Sequence, residues 1–137
     1  MSDTVLSVPI TALYVGLTIL LAIGLGMRVG LMRGSSGISI HDGGNQELAL
    51  RVRHHGNLLE TAALTLLAIG ILELNRTSPW VLHTLGLAFI TARILHPIGL
   101  KADDVTHPLR ALGAAGSTLV MLTAGLIAIW QFVSQAL

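Results

Sequence analysis

An all-α integral membrane protein, a bundle of four transmembrane helices, is the fold class this sequence predicts, on three observations. Only 11% of the 137 residues are charged and 53% are hydrophobic, less than half the charge of an average globular chain (about 25%). A soluble domain of this length needs a wide polar surface, because small folds bury only part of their area. The mean hydropathy is +0.77. Finally, no charged residue occurs from Val5 to Met27 or from Ala111 to Leu137, and each run exceeds the ~20 residues that carry a helix across a ~30 Å hydrocarbon core.

The first helix is expected over 5–31. Its leading residues, Met-Ser-Asp-Thr, carry no positive charge, and no A-x-A-like cleavage site follows the apolar run, so it reads as a retained helix and not a signal peptide. Residues 34–45 follow, a Gly/Ser/Asn-rich stretch with neither helical nor strand periodicity. A second helix over 50–74 contains an apolar stretch from Leu58 to Leu72 broken only by Glu60. Glu73–Pro79 forms a tight turn in which Ser78 stands at the N-cap and Pro79 at the first helical position. The third helix, 79–100, is interrupted by Arg93, His83 and His96. A short polar loop, Lys101 to His107, leads to the fourth helix, 108–135. Connections this short predict one domain over 1–137.

Arg28, Arg33, Arg51, Arg53, Lys101 and Arg110 flank the first and third loops, whereas only Arg76 lies on the other side. The excess of basic residues predicts that both loops face the cytoplasm and both termini lie outside.

Composition also excludes chemistry. With no cysteine, a disulfide scaffold, a zinc-thiolate site, an iron–sulfur cluster and a cysteine nucleophile are ruled out; any thiol must arrive with a ligand. A net charge of +1 without a basic run predicts no nucleic-acid partner. His54, His55, His96 and His107 form no i, i+4 histidine pair and have no carboxylate at ligand spacing, so no metal site is expected.

Ionisable side chains inside a membrane helix cost about 2.5–3.5 kcal/mol each on insertion scales and need a reason. Arg53, Asn57 and Glu60 stand at i, i+4 and i+7, on one helical face. Together they offer a guanidinium fork, an amide and a carboxylate, a set suited to a ligand bearing carboxylates and an ammonium group. Alternatively, Arg51 and Arg53 snorkel to the interface while Glu60 pairs with Arg93. Arg93 and His96, one turn apart on the third helix, form either a second wall of the same site or, for Arg93, the charge partner of Glu60. Arg110 is either an orientation anchor or a guanidinium that favours the thiolate of a bound thiol, whose free pKa is about 8.5. Gly26-x-x-x-Gly30 and Gly113-x-x-x-Ser117 are small-residue pairs of the kind that let helices approach closely.

At Arg53-His54-His55-Gly56-Asn57-Leu58-Leu59-Glu60 the chain resembles the MAPEG family, the membrane-associated proteins in eicosanoid and glutathione metabolism, with its Arg-x-x-x-Asn-x-x-Glu signature. The segments His41–Leu48, Glu73–Asn75, Trp80–His83 and Ala92–Gly99 continue the resemblance, which spans essentially the whole chain and is of the bacterial type. It implies a homotrimer of four-helix bundles in the inner membrane, holding glutathione in a cytoplasm-facing pocket between subunits. By position, Arg53, Asn57 and Glu60 would contact glutathione, His55 would flank it and Arg28 would reach its carboxylate. Arg93 and His96 would contribute from the third helix, and Arg110 matches the family's thiol-activating arginine.

Two departures weigh against turnover. The Lys101–Pro108 loop differs in length from that of mammalian members, and Thr61, His96 and Leu100 stand where members handling lipid mediators carry tyrosines. The expectation is a glutathione-dependent transferase or peroxidase acting on a lipophilic small molecule. Its competitors are a non-catalytic membrane protein of the same fold that binds a small polar ligand or lipid headgroup, and a small multidrug exporter relying on Glu60.

Overall fold

The computed structural model describes residues 7–136 and contains four helices. They are α1 (Pro9–Ser36), α2 (Gln46–Leu74), α3 (Pro79–Gly99) and α4 (Pro108–Ala136). The protein is an all-α four-helix bundle, and each helix is long and apolar enough to cross a membrane. The expected start of the first helix at residue 5 lies outside the described residues.

The first connection is shorter than the sequence suggests, because both neighbouring helices extend into it. Gly34, Ser35 and Ser36 are poor helix formers, yet α1 continues through them. Ser35 and Ser36 donate to the Met32 carbonyl at 3.0 and 2.8 Å, and Gly37 then ends the helix with a left-handed φ of 68° and an N–H to Arg33 O. That is the usual glycine C-cap. At the other side Asn45 accepts the Leu48 N–H at 3.1 Å, so α2 starts at Gln46 and not at 50. Ser78 is the N-cap of α3 by position, but its side chain makes no capping bond.

In the bundle α2 and α3 are central. α1 packs on both, α4 packs on both, and α1 and α4 do not meet. Leu58, Ile69, Leu72, Leu82, Phe89 and Ala124 form the interior. Large apolar side chains such as Leu20, Leu64, Leu87 and Ile129 point outward, as a hydrocarbon solvent requires.

One end of the bundle is sewn together by polar groups. Val8 offers α1 no side-chain cap; instead the Glu73 carboxylate, from the last turn of α2, accepts the N–H groups of Ile10 and Thr11 at 2.9 and 2.7 Å. A carboxylate there also meets the positive end of the α1 dipole. Tyr14 lies on Gly86, where any Cβ would collide with its ring, and its hydroxyl reaches His83 Nδ1 and O, both at 3.1 Å. Gln131 bridges Asn75 and Thr77 across the α2–α3 turn. Trp80 and Trp130 are exposed near this end, where aromatic belts meet the membrane interface. The opposite end carries Arg28, Arg33, Arg51, Arg53, Lys101 and Arg110.

Candidate functional site

The α2 register places Arg53, Asn57 and Glu60 on one face, and the side chains join there. Arg53 Nη2 donates to Asn57 Oδ1 at 2.8 Å, and Nη1 reaches Glu60 Oε1 at 3.4 Å. Both members of this ion pair have side chains that are 60% exposed. Such a pair contributes little to stability and can exchange its partners for those of a ligand.

Arg93 sits behind them and is only 4% exposed. Its Nη1 donates to Asn57 O at 3.1 Å and Thr61 Oγ1 at 3.4 Å on α2. Its Nη2 donates to Gly113 O at 2.6 Å and to the Ser117 hydroxyl on α4, while the buried Nε has no protein partner. The expected alternative, an Arg93–Glu60 ion pair, is therefore corrected. Glu60 pairs with Arg53, and among the described residues no carboxylate pairs with Arg93. The physical reason is depth: Glu60 points out of the bundle, whereas Arg93 points into the seam where α2, α3 and α4 converge, and bonds to carbonyls and hydroxyls there.

That seam is close because Gly113 lacks a side chain. A Cβ there would lie 2.7 Å from the Cα of His96. The Gly113-x-x-x-Ser117 pair thus does more than bring helices together, since both of its residues accept from Arg93.

Asn57, Glu60, Thr61, Arg93, His96, Ala114 and Thr118 line a polar cavity of about 170 Å³ opening between α2, α3 and α4. On another face α3 and α4 form a shallow apolar groove of about 490 Å³, lined by Leu87, Ala88, Thr91, Leu95, Leu112 and Gly116 among others. Asn57, Glu60, Arg93 and His96 are thus gathered at one cavity, with Arg53 bonded at its edge.

Three expected residues stand apart from it within the chain. His55 faces α1, with Nε2 3.4 Å from where a Gly26 Cβ would be. Arg28 is exposed, and its carbonyl accepts from Arg51. Arg110 donates to Val105 O at 3.5 Å in the third loop. Sequence reasoning missed Ala114, Thr118 and the Ser117 hydroxyl as surroundings of the site, because nothing marks small α4 residues as facing an arginine on α3. It also missed His54, which is buried with Nε2 3.0 Å from Leu100 O and ties α2 to the end of α3. Among the described residues no group of three or more His, Asp or Glu stands within metal-ligating range.

Two curated relatives match over part of the chain. The inner membrane protein YecN of Escherichia coli strain K12 is 29% identical over 90 residues, covering 66% of this chain and 69% of the relative. YecN of Escherichia coli O6:H1 strain CFT073 matches with the same identity and coverage. No solved structure matches. The MAPEG family pattern matches residues 11–130, almost the full length of the four helices that build the cavity, and the chain belongs to the MAPEG family.

Proposed function

We propose that this protein is a glutathione-dependent membrane enzyme of the transferase or peroxidase type, acting on lipophilic electrophiles or hydroperoxides. The observation that carries the reading is the exposed Arg53–Asn57–Glu60 cluster at the mouth of the cavity walled by Arg93 and His96. Glutathione presents two carboxylates, an ammonium group and a thiol. A carboxylate can replace Glu60 as the partner of Arg53, and an ammonium can replace Arg53 as the partner of Glu60, so both charges stay paired on binding. The Arg93 guanidinium, buried without a counter-charge, makes the inner cavity favourable to an anion. The chain has no cysteine of its own, in keeping with a thiol supplied by the ligand.

Within one protomer the cavity, at about 170 Å³, is smaller than the 300–1,000 Å³ typical of ligand pockets. An exposed Arg53–Glu60 pair on a membrane-spanning helix is also poorly suited to face lipid. Both features support assembly as a homotrimer in which a second copy covers this face of α2 and completes the site. Arg28, His55 and Arg110 then complete the ligand set, Arg110 as the guanidinium that favours the thiolate. The basic loops face the cytoplasm, where glutathione enters, and both termini lie outside. The lipophilic reactant arrives from the bilayer, so that two reactants of opposite solubility meet in a fixed orientation.

One observation favours a second reading, a non-catalytic glutathione-binding protein. Arg110 bonds the third loop and does not line the protomer's cavity.

Calorimetry of purified protein with glutathione tests the proposal. Binding that is lost in Glu60→Ala and Arg53→Ala is the expected result, and no binding at millimolar glutathione refutes it. A rise in ultraviolet thiolate absorbance on binding, lost in Arg110→Ala, separates the enzyme from the non-catalytic binder.

A further inference from the structure

A second polar cavity, of about 250 Å³, lies between the end of α1, the loop over 37–45 and the first turns of α2. It is lined by Arg33, His41, Asp42, Ala49, Val52 and Arg53. The loop that closes it has a defined shape. Arg33 Nη1 donates to Ile38 O at 3.2 Å and His41 O at 2.8 Å. Asp42 Oδ1 accepts the Gly44 N–H at 2.9 Å. His41 holds a φ of 52°, a left-handed conformation that a non-glycine residue adopts only when its surroundings compensate the strain.

The charge balance of this pocket is one-sided. Two guanidiniums and an imidazole line it, Arg53 being paired with Glu60 on its other side and Arg33 facing only the carboxylate of Asp42, one oxygen of which is engaged with a backbone amide. Among the described residues Arg33 forms no ion pair, and only its Nη1 is used in hydrogen bonds. The remaining N–H groups form an open fork of the kind that suits a tetrahedral oxyanion. Apolar side chains complete the lining: Ala49 and Val52, the latter 37% exposed, stand on α2, and Ile40, 71% exposed, precedes His41 in the loop. A cationic pocket edged by exposed aliphatic side chains, at the basic end of a membrane-spanning bundle, matches a molecule that joins an anionic phosphodiester to acyl chains.

We propose that this pocket binds the headgroup of an anionic phospholipid, with Arg33 and His41 on the phosphodiester and the chains against Val52 and the neighbouring Ile40. A free phosphate ion shares the headgroup chemistry, but the aliphatic rim gives it nothing to bind. Arg53 lines this pocket and also bonds Asn57 and Glu60 in the other, so the lipid site adjoins the glutathione site, and Arg33 and His41, which the glutathione reading does not use, carry the proposal.

The test is native mass spectrometry of the detergent-purified full chain, titrated with phosphatidylglycerol or with phosphatidylcholine. Phosphatidylglycerol is retained in preference to phosphatidylcholine. Retention falls about fivefold in Arg33→Gln, the effect of one basic group near an anionic headgroup. Because Arg33 also ties the loop, Val52→Glu serves as the second variant; it leaves those hydrogen bonds in place, adds a negative charge to the lining, and lowers retention at least as much. Lys101→Gln, at the same end but outside the pocket, leaves retention unchanged. Equal loss in Lys101→Gln, equal retention of phosphatidylcholine, or displacement by millimolar inorganic phosphate would each overturn the proposal. Glutathione calorimetry on the same samples keeps the two readings apart, because Arg33 and Val52 lie outside the proposed glutathione set.

Discussion

Replacing Arg93 with methionine separates what holds the bundle together from what the bundle is built to hold. The guanidinium donates to Asn57, Thr61, Gly113 and Ser117, four acceptors on two neighbouring helices. Interhelical hydrogen bonds inside a membrane are worth about 0.6 kcal/mol on average, so their loss costs about 2.4 kcal/mol. In the opposite direction, removing an arginine from a membrane helix recovers about 2.5–3.5 kcal/mol on insertion scales. The acceptors left behind are not orphaned: Thr61 still donates to Asn57 O and Ser117 to Gly113 O. Methionine fills much of the arginine stem's volume and is tolerated in irregular gaps.

The two terms nearly cancel, so stability should change by no more than about 1 kcal/mol, a melting shift of no more than roughly 5 °C for a chain of this size. Glutathione binding should weaken at least about tenfold, the equivalent of one charge-assisted hydrogen bond. Thermal unfolding in detergent and calorimetry on the same preparation read both quantities. A melting drop beyond 10 °C (roughly 2 kcal/mol or more) with binding intact would refute the reasoning, since it would make Arg93 a structural tie alone. Unaltered binding with unaltered stability would refute its role in the site.

Other substitutions probe the close approaches that shape the bundle. Gly86→Ala drives a Cβ into the Tyr14 ring and should cost about 1–3 kcal/mol, the usual range for overpacking, read as a lower melting temperature. Gly99→Ala meets the backbone at Leu109 and Arg110; it should destabilise by a similar amount, and proteolysis of the 101–107 loop should quicken as α3 and α4 part at that end. Glu73→Gln keeps an acceptor for one of the two α1 amides but loses the charge at the helix N-terminus, a cost of about 1 kcal/mol that the melting temperature would report.

Much of the architecture is legible in the chain itself. Two long charge-free runs and two apolar runs with a single charged interruption each specify four helices, because a membrane core tolerates neither unpaired backbone nor charge. Pro79 and Pro108 mark helix starts correctly, since proline's missing N–H is harmless at a first turn. The first helix runs past 31 and the second starts before 50 because low helix propensity signals a break only when nothing compensates it. Here the hydroxyls of Ser35 and Ser36 and the Asn45 cap do so.

The site divides along the same line. Sequence spacing by itself determines that Arg53, Asn57 and Glu60 share a face, because the 3.6-residue period is a local property of the helix. It does not determine Arg93's partners, which depend on the angle and distance at which α3 meets α2 and α4. Tertiary packing decided that Arg93 turns inward to Gly113 and Ser117, that Glu60 is left to Arg53, and that Arg33 and His41 close a second cationic pocket from a loop without periodicity. Those contacts span long stretches of chain, where the sequence carries charge and size but not distance.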